Sequence, residues 1–123
     1  MVSFGNALSD FFKKYYNFSG RASRSMYWWA MLFLLLVNVF IETFQYFSTT
    51  DNIAIDFFDV VGLLFLFVMV IPTLSISVRR LHDTGHGGGW IFISLIPLAG
   101  QIWYLILMLQ PSEEGDNRFG PQP

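Results

Sequence analysis

The chain has 123 residues, a formal net charge of −2 and no cysteine. Its length leaves room for one domain, and its charge gives no sign of the basic surface that nucleic-acid binding needs. The lack of cysteine excludes disulfide bonds, thiolate catalysis and cysteine-based metal sites. Hydrophobic residues make up 54% of the sequence and charged residues only 13%, which is more apolar than a soluble domain of this size. The composition predicts an integral membrane protein.

The N-terminal segment, residues 1–25, has apolar side chains at helical spacing over its first sixteen positions. Phe4, Leu8, Phe11, Phe12 and Tyr15 fall on one face of a helix. The segment is too short and polar to cross a bilayer, so the spacing predicts a short amphipathic helix on the cytoplasmic side. Such a helix can lie among lipid headgroups or pack on the ends of the spans, and the two arrangements are compatible.

Three apolar stretches follow, at about 26–47, 57–78 and 90–109. Each has about the 20 residues that a helix needs to cross a hydrocarbon core of ~30 Å. The first stretch begins too late and runs too long for a cleaved signal peptide. The predicted fold is therefore an all-α membrane protein, a small bundle of three transmembrane helices. Residues 110–123 are rich in proline, glycine and acidic groups and predict an irregular tail, so that 1–123 form a single membrane domain.

The distribution of basic residues predicts the orientation of the chain. Lys13, Lys14 and two arginines precede the first span, and two more arginines follow the second. The loop at 48–56 between these spans has no basic residue. Because short loops rich in Lys and Arg stay on the cytoplasmic side, we expect a cytoplasmic N-terminus and an outward-facing loop.

The third stretch has an alternative interpretation. Pro97 and Gly100 lie near its middle and could divide it into a re-entrant hairpin that returns the tail to the cytoplasm. A single crossing is the preferred prediction. It would place the two chain termini on opposite sides of the membrane.

Three polar motifs lie against the ends of the predicted spans. Residues 18–24 read FSGRASR ahead of Tyr27-Trp28, residues 79–85 read RRLHDTG ahead of Gly89-Trp90, and residues 115–121 read GDNRFGP. With these motifs nearly the whole chain resembles a bacterial inner-membrane family catalogued as domain of unknown function 805. The resemblance implies an inner-membrane protein of a few helical spans and supplies no reaction. The chain departs from the family pattern at 86–89, His-Gly-Gly-Gly, where the family has a basic residue and a serine nearby.

Four arginines and two neighbouring polar residues form the first candidate site on the predicted cytoplasmic face. Guanidinium groups suit phosphate or carboxylate oxygens, so the site could bind an anionic lipid or a phosphorylated metabolite. Alternatively, the arginines only fix topology and reach for headgroups, or they form internal ion pairs such as Arg80 with Asp83. The members of this site are Arg21, Arg24, Arg79, Arg80, His82 and Asp83.

His82, Asp83 and His86 also suggest metal binding or acid–base chemistry. No third histidine and no cysteine completes a zinc site, and the surrounding glycines indicate a helix end and turn. A hydrogen-bonded turn is therefore favoured, and neither a metal nor a cofactor is predicted. A lipid-modifying enzyme that uses His82 and Asp83 as acid and base is the weakest alternative.

Asn38, Glu42 and Gln45 give the first span a polar stripe at i, i+4 and i+7. Polar groups in hydrocarbon face protein or water, so the stripe could serve a proton or cation path. Hydrogen bonding between helices, with Thr73, Ser75 or Ser77 as partners, is the favoured interpretation. Pro72 in the second span frees a backbone carbonyl, which nearby hydroxyl groups could satisfy.

Taken together, these features predict a non-enzymatic binding or structural membrane component. Its cytoplasmic arginine-rich face would bind an anionic lipid headgroup, a metabolite or a protein partner. The alternative is a transporter or efflux component for a small solute or ion that uses the polar stripe. Three helices enclose little interior, so self-association into a homo-oligomer would help to bury that stripe.

Overall fold

The computed structural model describes residues 1–48 and 57–123, and the regular elements within them are helical. The four α-helices are α1 (Phe4–Lys13), α2 (Arg24–Ser48), α3 (Phe57–Asp83) and α4 (Ala99–Leu109). A 3₁₀ helix, Gly88–Leu95, lies between α3 and α4. The all-α prediction is confirmed at this level. The predicted outward loop falls, except for its first residue, outside the described residues.

Helices α2 and α3 are long and apolar enough to cross a membrane. Only 11% and 22% of their most apolar stretches are buried inside the molecule, whereas the core helix of a soluble protein is mostly buried. The two helices run antiparallel and approach closely at Gly62, where an added Cβ would lie 3.3 Å from the Ile41 side chain. Phe44 and Phe58 stack nearby, with ring centroids 5.3 Å apart.

The third predicted span is not one continuous helix. Pro97 has no N–H to continue a helix, and Leu98 has a φ of 63°, in the left-handed region. The 3₁₀ helix folds back on α4, and a Cβ at Gly100 would lie 1.9 Å from the backbone oxygen of Ile93. Only glycine permits that approach. With 8 and 11 residues, each arm is roughly 16 Å long, about half of a hydrocarbon core.

The buried core lies at one end of the α2–α3 pair, which we call the arginine end. There the start of α2, the last turns of α3, the end of α4 and helix α1 meet. The fully or nearly fully buried apolar side chains in this cluster are Phe11, Ala22, Tyr27, Ala30, Ile76, Leu81, Leu107 and Met108.

Helix α1 packs across the first turns of α2. The Ser3 hydroxyl caps α1 by accepting the backbone N–H of Asn6. Ala7 and Phe11 are completely buried, and two other rings meet α2 edge-on. These contacts are Phe4 with Trp29 and Phe12 with Phe33.

Pro72 interrupts the hydrogen bonding of α3, and a residue from another part of the chain compensates. Because Pro72 lacks an N–H, the carbonyl of Val68 loses its helical donor. The Tyr15 hydroxyl donates to that carbonyl. The hydroxyls expected from the sequence bond elsewhere: Thr73 donates to Met69, and Ser75 to carbonyls of the segment after α1.

Candidate functional site

The carboxylate of Asp83 lies at the centre of the arginine end and is completely buried. Its two oxygens accept hydrogen bonds from Arg21 Nε at 3.0 Å and from Arg80 Nη1 at 2.6 Å. The Ser112 hydroxyl donates to the same group. The ion pair between Arg80 and Asp83, one of the alternatives considered above, is therefore present, and Arg21 extends it to three charged groups. A buried carboxylate shared by two guanidinium groups leaves an excess of positive charge.

Arg21 connects the tail to this cluster. Its Nη2 donates to the carbonyl of Glu113 at 2.5 Å and its Nη1 to that of Gly115 at 2.6 Å. The backbone N–H of Glu113 also donates to the carbonyl of Asp83 at 2.8 Å. The tail therefore lies at the same end of the molecule as the other two motifs. All three polar motifs of the sequence contribute to one site.

Arg80 caps the C-terminal end of α4. Its guanidinium donates to the carbonyl of Met108 at 3.2 and 3.3 Å, and also to that of Gln110. The last carbonyls of a helix have no partner within the helix and carry partial negative charge. Arg80 supplies hydrogen-bond donors to these carbonyls and a positive charge to balance their partial negative charge.

Arg79 lies on a different side of α3 from Arg80 and forms an ion pair with α1. It is completely buried, and its Nη1 lies 2.9 Å from a carboxylate oxygen of Asp10. Lys14 approaches the other oxygen of Asp10 at 3.1 Å. Two further donors of Arg79, Nε and Nη2, are buried without a hydrogen-bond partner among the described residues. The buried charge of Arg79 thus depends on the Asp10 carboxylate.

His82 is held by the loop before α2 and by the tail. Its Nδ1 lies 2.9 Å from the carbonyl oxygen of Gly20, and its ring stacks on Phe119 at a centroid distance of 4.0 Å. Arg118 covers the Phe119 ring, and the Asn117 amide donates to the backbone carbonyl of His82. Although His82 and Asp83 are adjacent in sequence, their side chains hydrogen-bond to different partners.

His86 lies in the turn after α3. Its Nδ1 is 3.0 Å from the Thr84 hydroxyl, and its ring meets Trp90 edge-on. Across residues 1–48 and 57–123, no three His, Cys, Asp or Glu side chains are grouped to hold a metal ion. The arrangement is a hydrogen-bonded turn.

Arg24 differs from the other three arginines of the predicted site because it is exposed. Its Nη1 donates to the carbonyl of Leu109 at 3.2 Å. In the described part of the chain no carboxylate lies within 4.0 Å of its guanidinium. Arg24 and Arg80 therefore bring two positive charges to the end of α4.

Arg24 faces a pocket of about 650 Å³ between the start of α2, the residues before α1 and the tail. An apolar groove of about 280 Å³ adjoins it, with Trp29 and Leu32 on its walls. We call the two together the Arg24 pocket. Besides Arg24, its first part is lined by Met1, Val2, Ser23, Ser25, Trp28, Pro111, Ser112 and Pro123, and the groove shares Met1, Ser25 and Trp28.

The polar stripe of α2 is divided between two environments. Asn38 donates to the Glu42 carboxylate at 2.8 Å, and both side chains are exposed. Gln45 instead turns towards α3, where its amide donates to Asp59 at 3.0 Å and to the carbonyl of Phe58. In the described structure the three side chains thus do not line one enclosed path.

Comparison with known proteins supplies the family. A family model described as "Protein of unknown function (DUF805)" matches residues 15–121. The chain belongs to the DUF805 family. It is 31% identical over 111 residues to the inner membrane protein YhaI of Escherichia coli K12, covering 90% of this chain and 89% of YhaI. It is 32% identical over 114 residues to YhaH of the same strain, covering 90% of each chain.

No solved structure matches the chain. Both relatives are inner membrane proteins by name, and this member of the DUF805 family is accordingly a bacterial inner membrane protein. The matched range includes the three polar motifs and both long helices.

Several residues of the site were not identified from the sequence. Asp10, the partner of Arg79, lies before the DUF805 match and within a segment interpreted only by its apolar face. Ser112 lies in the tail, which the sequence predicted only as an irregular segment. The carboxylate of Asp10 was the available signal, since a lone acidic residue beside Lys13 and Lys14 often marks an ion pair.

Proposed function

We propose that this protein is a non-enzymatic membrane component that binds an anionic phospholipid, with the phosphate held by Arg24 on the cytoplasmic side. The exposed Arg24 guanidinium carries the proposal, because it faces a pocket of about 650 Å³ and has no carboxylate partner in the described structure. The other three arginines of the predicted site are buried and engaged within the protein. They build the site, and Arg24 remains to bind a ligand.

The proposed topology has α2 and α3 as two membrane spans and the 3₁₀–α4 hairpin re-entering from the cytoplasmic side. The N-terminus, α1 and the tail then all lie in the cytoplasm. All seven Lys and Arg residues of the chain fall in segments at the arginine end, in agreement with the positive-inside rule. The half-exposed rings of Phe4 and Phe12, next to two lysines, suit α1 to the headgroup layer.

The charge at the arginine end favours an anionic ligand. Seven basic residues face five acidic ones there, since the remaining Asp and Glu residues lie elsewhere in the sequence. Asp83 is already shared by Arg21 and Arg80. A phosphate at Arg24 would accept charge-assisted hydrogen bonds from a guanidinium that otherwise meets one carbonyl, and such bonds are stronger than neutral ones.

The shape of the Arg24 pocket favours a lipid over a free phosphate compound. Ser23 and Ser25 provide hydroxyl groups beside Arg24, as a headgroup requires. The adjoining groove is lined by Trp28, Trp29 and other apolar groups, as the start of an acyl chain requires. Tryptophan is typical of the membrane–water boundary at which these two parts of a phospholipid meet.

The test is native mass spectrometry of the full chain released from bacterial membranes, followed by phosphatidylglycerol binding in nanodiscs. We expect wild type to retain an anionic phospholipid and Arg24→Gln to lose it. Charge-assisted hydrogen bonds contribute about 1.5–3 kcal/mol, so Arg24→Gln should weaken binding at least about tenfold.

Arg118→Gln is the matched control, because it removes an exposed arginine at the same end but outside the Arg24 pocket. A basic residue near an anionic surface contributes about 1 kcal/mol, so this variant should lose about fivefold at most. Equal lipid retention by wild type and Arg24→Gln would refute the proposal. If the protein instead retains a water-soluble phosphate compound that inorganic phosphate displaces, the ligand is a metabolite and not a lipid.

A further inference from the structure

Asn38 and Glu42 form a polar pair on an exposed face of α2. The Asn38 amide donates to the Glu42 carboxylate at 2.8 Å, and both side chains are exposed. They lie nine and thirteen residues beyond Trp29, which at 1.5 Å per residue is roughly 14 and 20 Å along the helix. If Trp29 marks the boundary of a hydrocarbon core of ~30 Å, both side chains lie within that core.

One hydrogen bond does not satisfy this pair. The asparagine side chain has two N–H donors and an acceptor oxygen, and the glutamate has two oxygens. Among the described residues, their mutual hydrogen bond is the polar contact these side chains make. Polar groups left open to lipid tails are costly and normally face protein or water. The exposed pair therefore requires a polar cover.

An apolar groove adjoins the pair. A groove of about 340 Å³ runs between α2 and α3, with Asn38 on its rim. Its walls include Leu34, Phe65 and Met69. A lipid tail could occupy this apolar groove, but it would offer no hydrogen bond to Asn38 or Glu42.

We propose that a second copy of this chain covers the pair, so that two α2 helices cross at Asn38 and Glu42 in a two-fold dimer. The face is self-complementary, because it presents both a donor amide and an acceptor carboxyl, and two-fold symmetry brings each against the other. Leu35, Asn38 and Glu42 repeat at the 3–4 spacing of helix–helix seams. Two spans alone enclose too little interior to bury such a pair, whereas a dimer does so.

The test uses the full chain with a fluorescent label at a single cysteine that replaces Ser19. The protein is reconstituted into phosphatidylcholine–phosphatidylglycerol vesicles at a series of protein-to-lipid ratios, and the photobleaching steps of each fluorescent spot are counted. We expect two steps for wild type at high ratios and one at high dilution. Glu42→Leu and Asn38→Leu should raise the midpoint ratio about tenfold or more, since a symmetric interface loses two interhelical hydrogen bonds. Glu42→Gln keeps an acceptor and should retain the dimer.

Thr43→Val is the matched control at the same depth. The Thr43 hydroxyl is exposed but bonds to the carbonyl of Val39 in its own helix, so its loss should leave the midpoint unchanged. Circular dichroism of each variant checks that the helices still form. A wild type that bleaches in one step at every ratio, in three or more steps, or with the same midpoint as Glu42→Leu would overturn the proposal.

Discussion

The Nε atom of Arg21 lies 3.0 Å from a carboxylate oxygen of Asp83, although 62 residues separate the two in sequence. Both side chains are completely buried. Arg21 precedes α2 and Asp83 ends α3, so this contact closes the antiparallel pair of long helices at one end. The same guanidinium donates to three carbonyls of the tail. One ion pair thus positions the three polar motifs of the chain.

Asp83→Asn should destabilise the protein strongly. The substitution removes the negative charge that two buried arginines share, and leaving a buried charge without its partner costs about 3–5 kcal/mol. We expect the free energy of unfolding in mixed micelles, followed by circular dichroism, to fall by about that amount. Limited proteolysis should also cleave the tail faster, because Ser112 and the backbone of Glu113 lose their arrangement around Asp83.

Asp116→Asn provides the control for this prediction. Asp116 is an exposed tail carboxylate, and exposed charges contribute about 0–1 kcal/mol. Similar losses of stability in the two variants would contradict a central role for Asp83.

Cysteine labelling should place the start and the tail of the chain on the same side of the membrane. Because the natural sequence has no cysteine, single cysteines at Ser19 and at Glu114 report without background. Both side chains are exposed at the arginine end. In sealed right-side-out and inverted vesicles, we expect an impermeant maleimide to modify both positions only when the cytoplasmic face is outside. Modification of the two positions from opposite faces would restore the single crossing by residues 90–109.

The all-helical fold and the two long helices could be predicted from the sequence, because hydropathy over 20 or more residues is a strong, local signal. The third segment is as apolar as a span, and what divides it is local geometry. Leu98 has a positive φ, and Gly100 lies against the carbonyl of Ile93. Such close approaches depend on contacts between the two arms, and hydropathy does not describe them.

The candidate site was predicted in part for a similar reason. The distribution of charge predicted that the four arginines of the site lie at one end of the molecule, since basic residues next to spans share a membrane face. Patterning does not distinguish a buried arginine from an exposed one. That distinction depends on where the partners lie: Arg79 meets Asp10 and Arg80 meets the end of α4, whereas Arg24 meets a pocket.

Tyr15→Phe should destabilise α3 through the carbonyl that Pro72 leaves without a donor. The variant removes the hydroxyl that donates to the Val68 carbonyl. On a helix surrounded by lipid, a carbonyl without a partner has no water to replace it and costs about 1–3 kcal/mol. We expect a loss of that order in the free energy of unfolding in mixed micelles. Tyr16→Phe is the matched control, because Tyr16 is 79% exposed and should change stability by less than about 0.5 kcal/mol.

A double-mutant cycle with Pro72→Ala isolates the mechanism. Alanine at position 72 restores the backbone N–H that can donate to Val68 within the helix, so Tyr15→Phe should cost much less in this background. The coupling between the two positions should therefore be of the order of 1 kcal/mol. If Tyr15→Phe has the same effect with alanine or proline at position 72, the tyrosine stabilises the protein by ring packing, and its hydroxyl does not serve the interrupted helix.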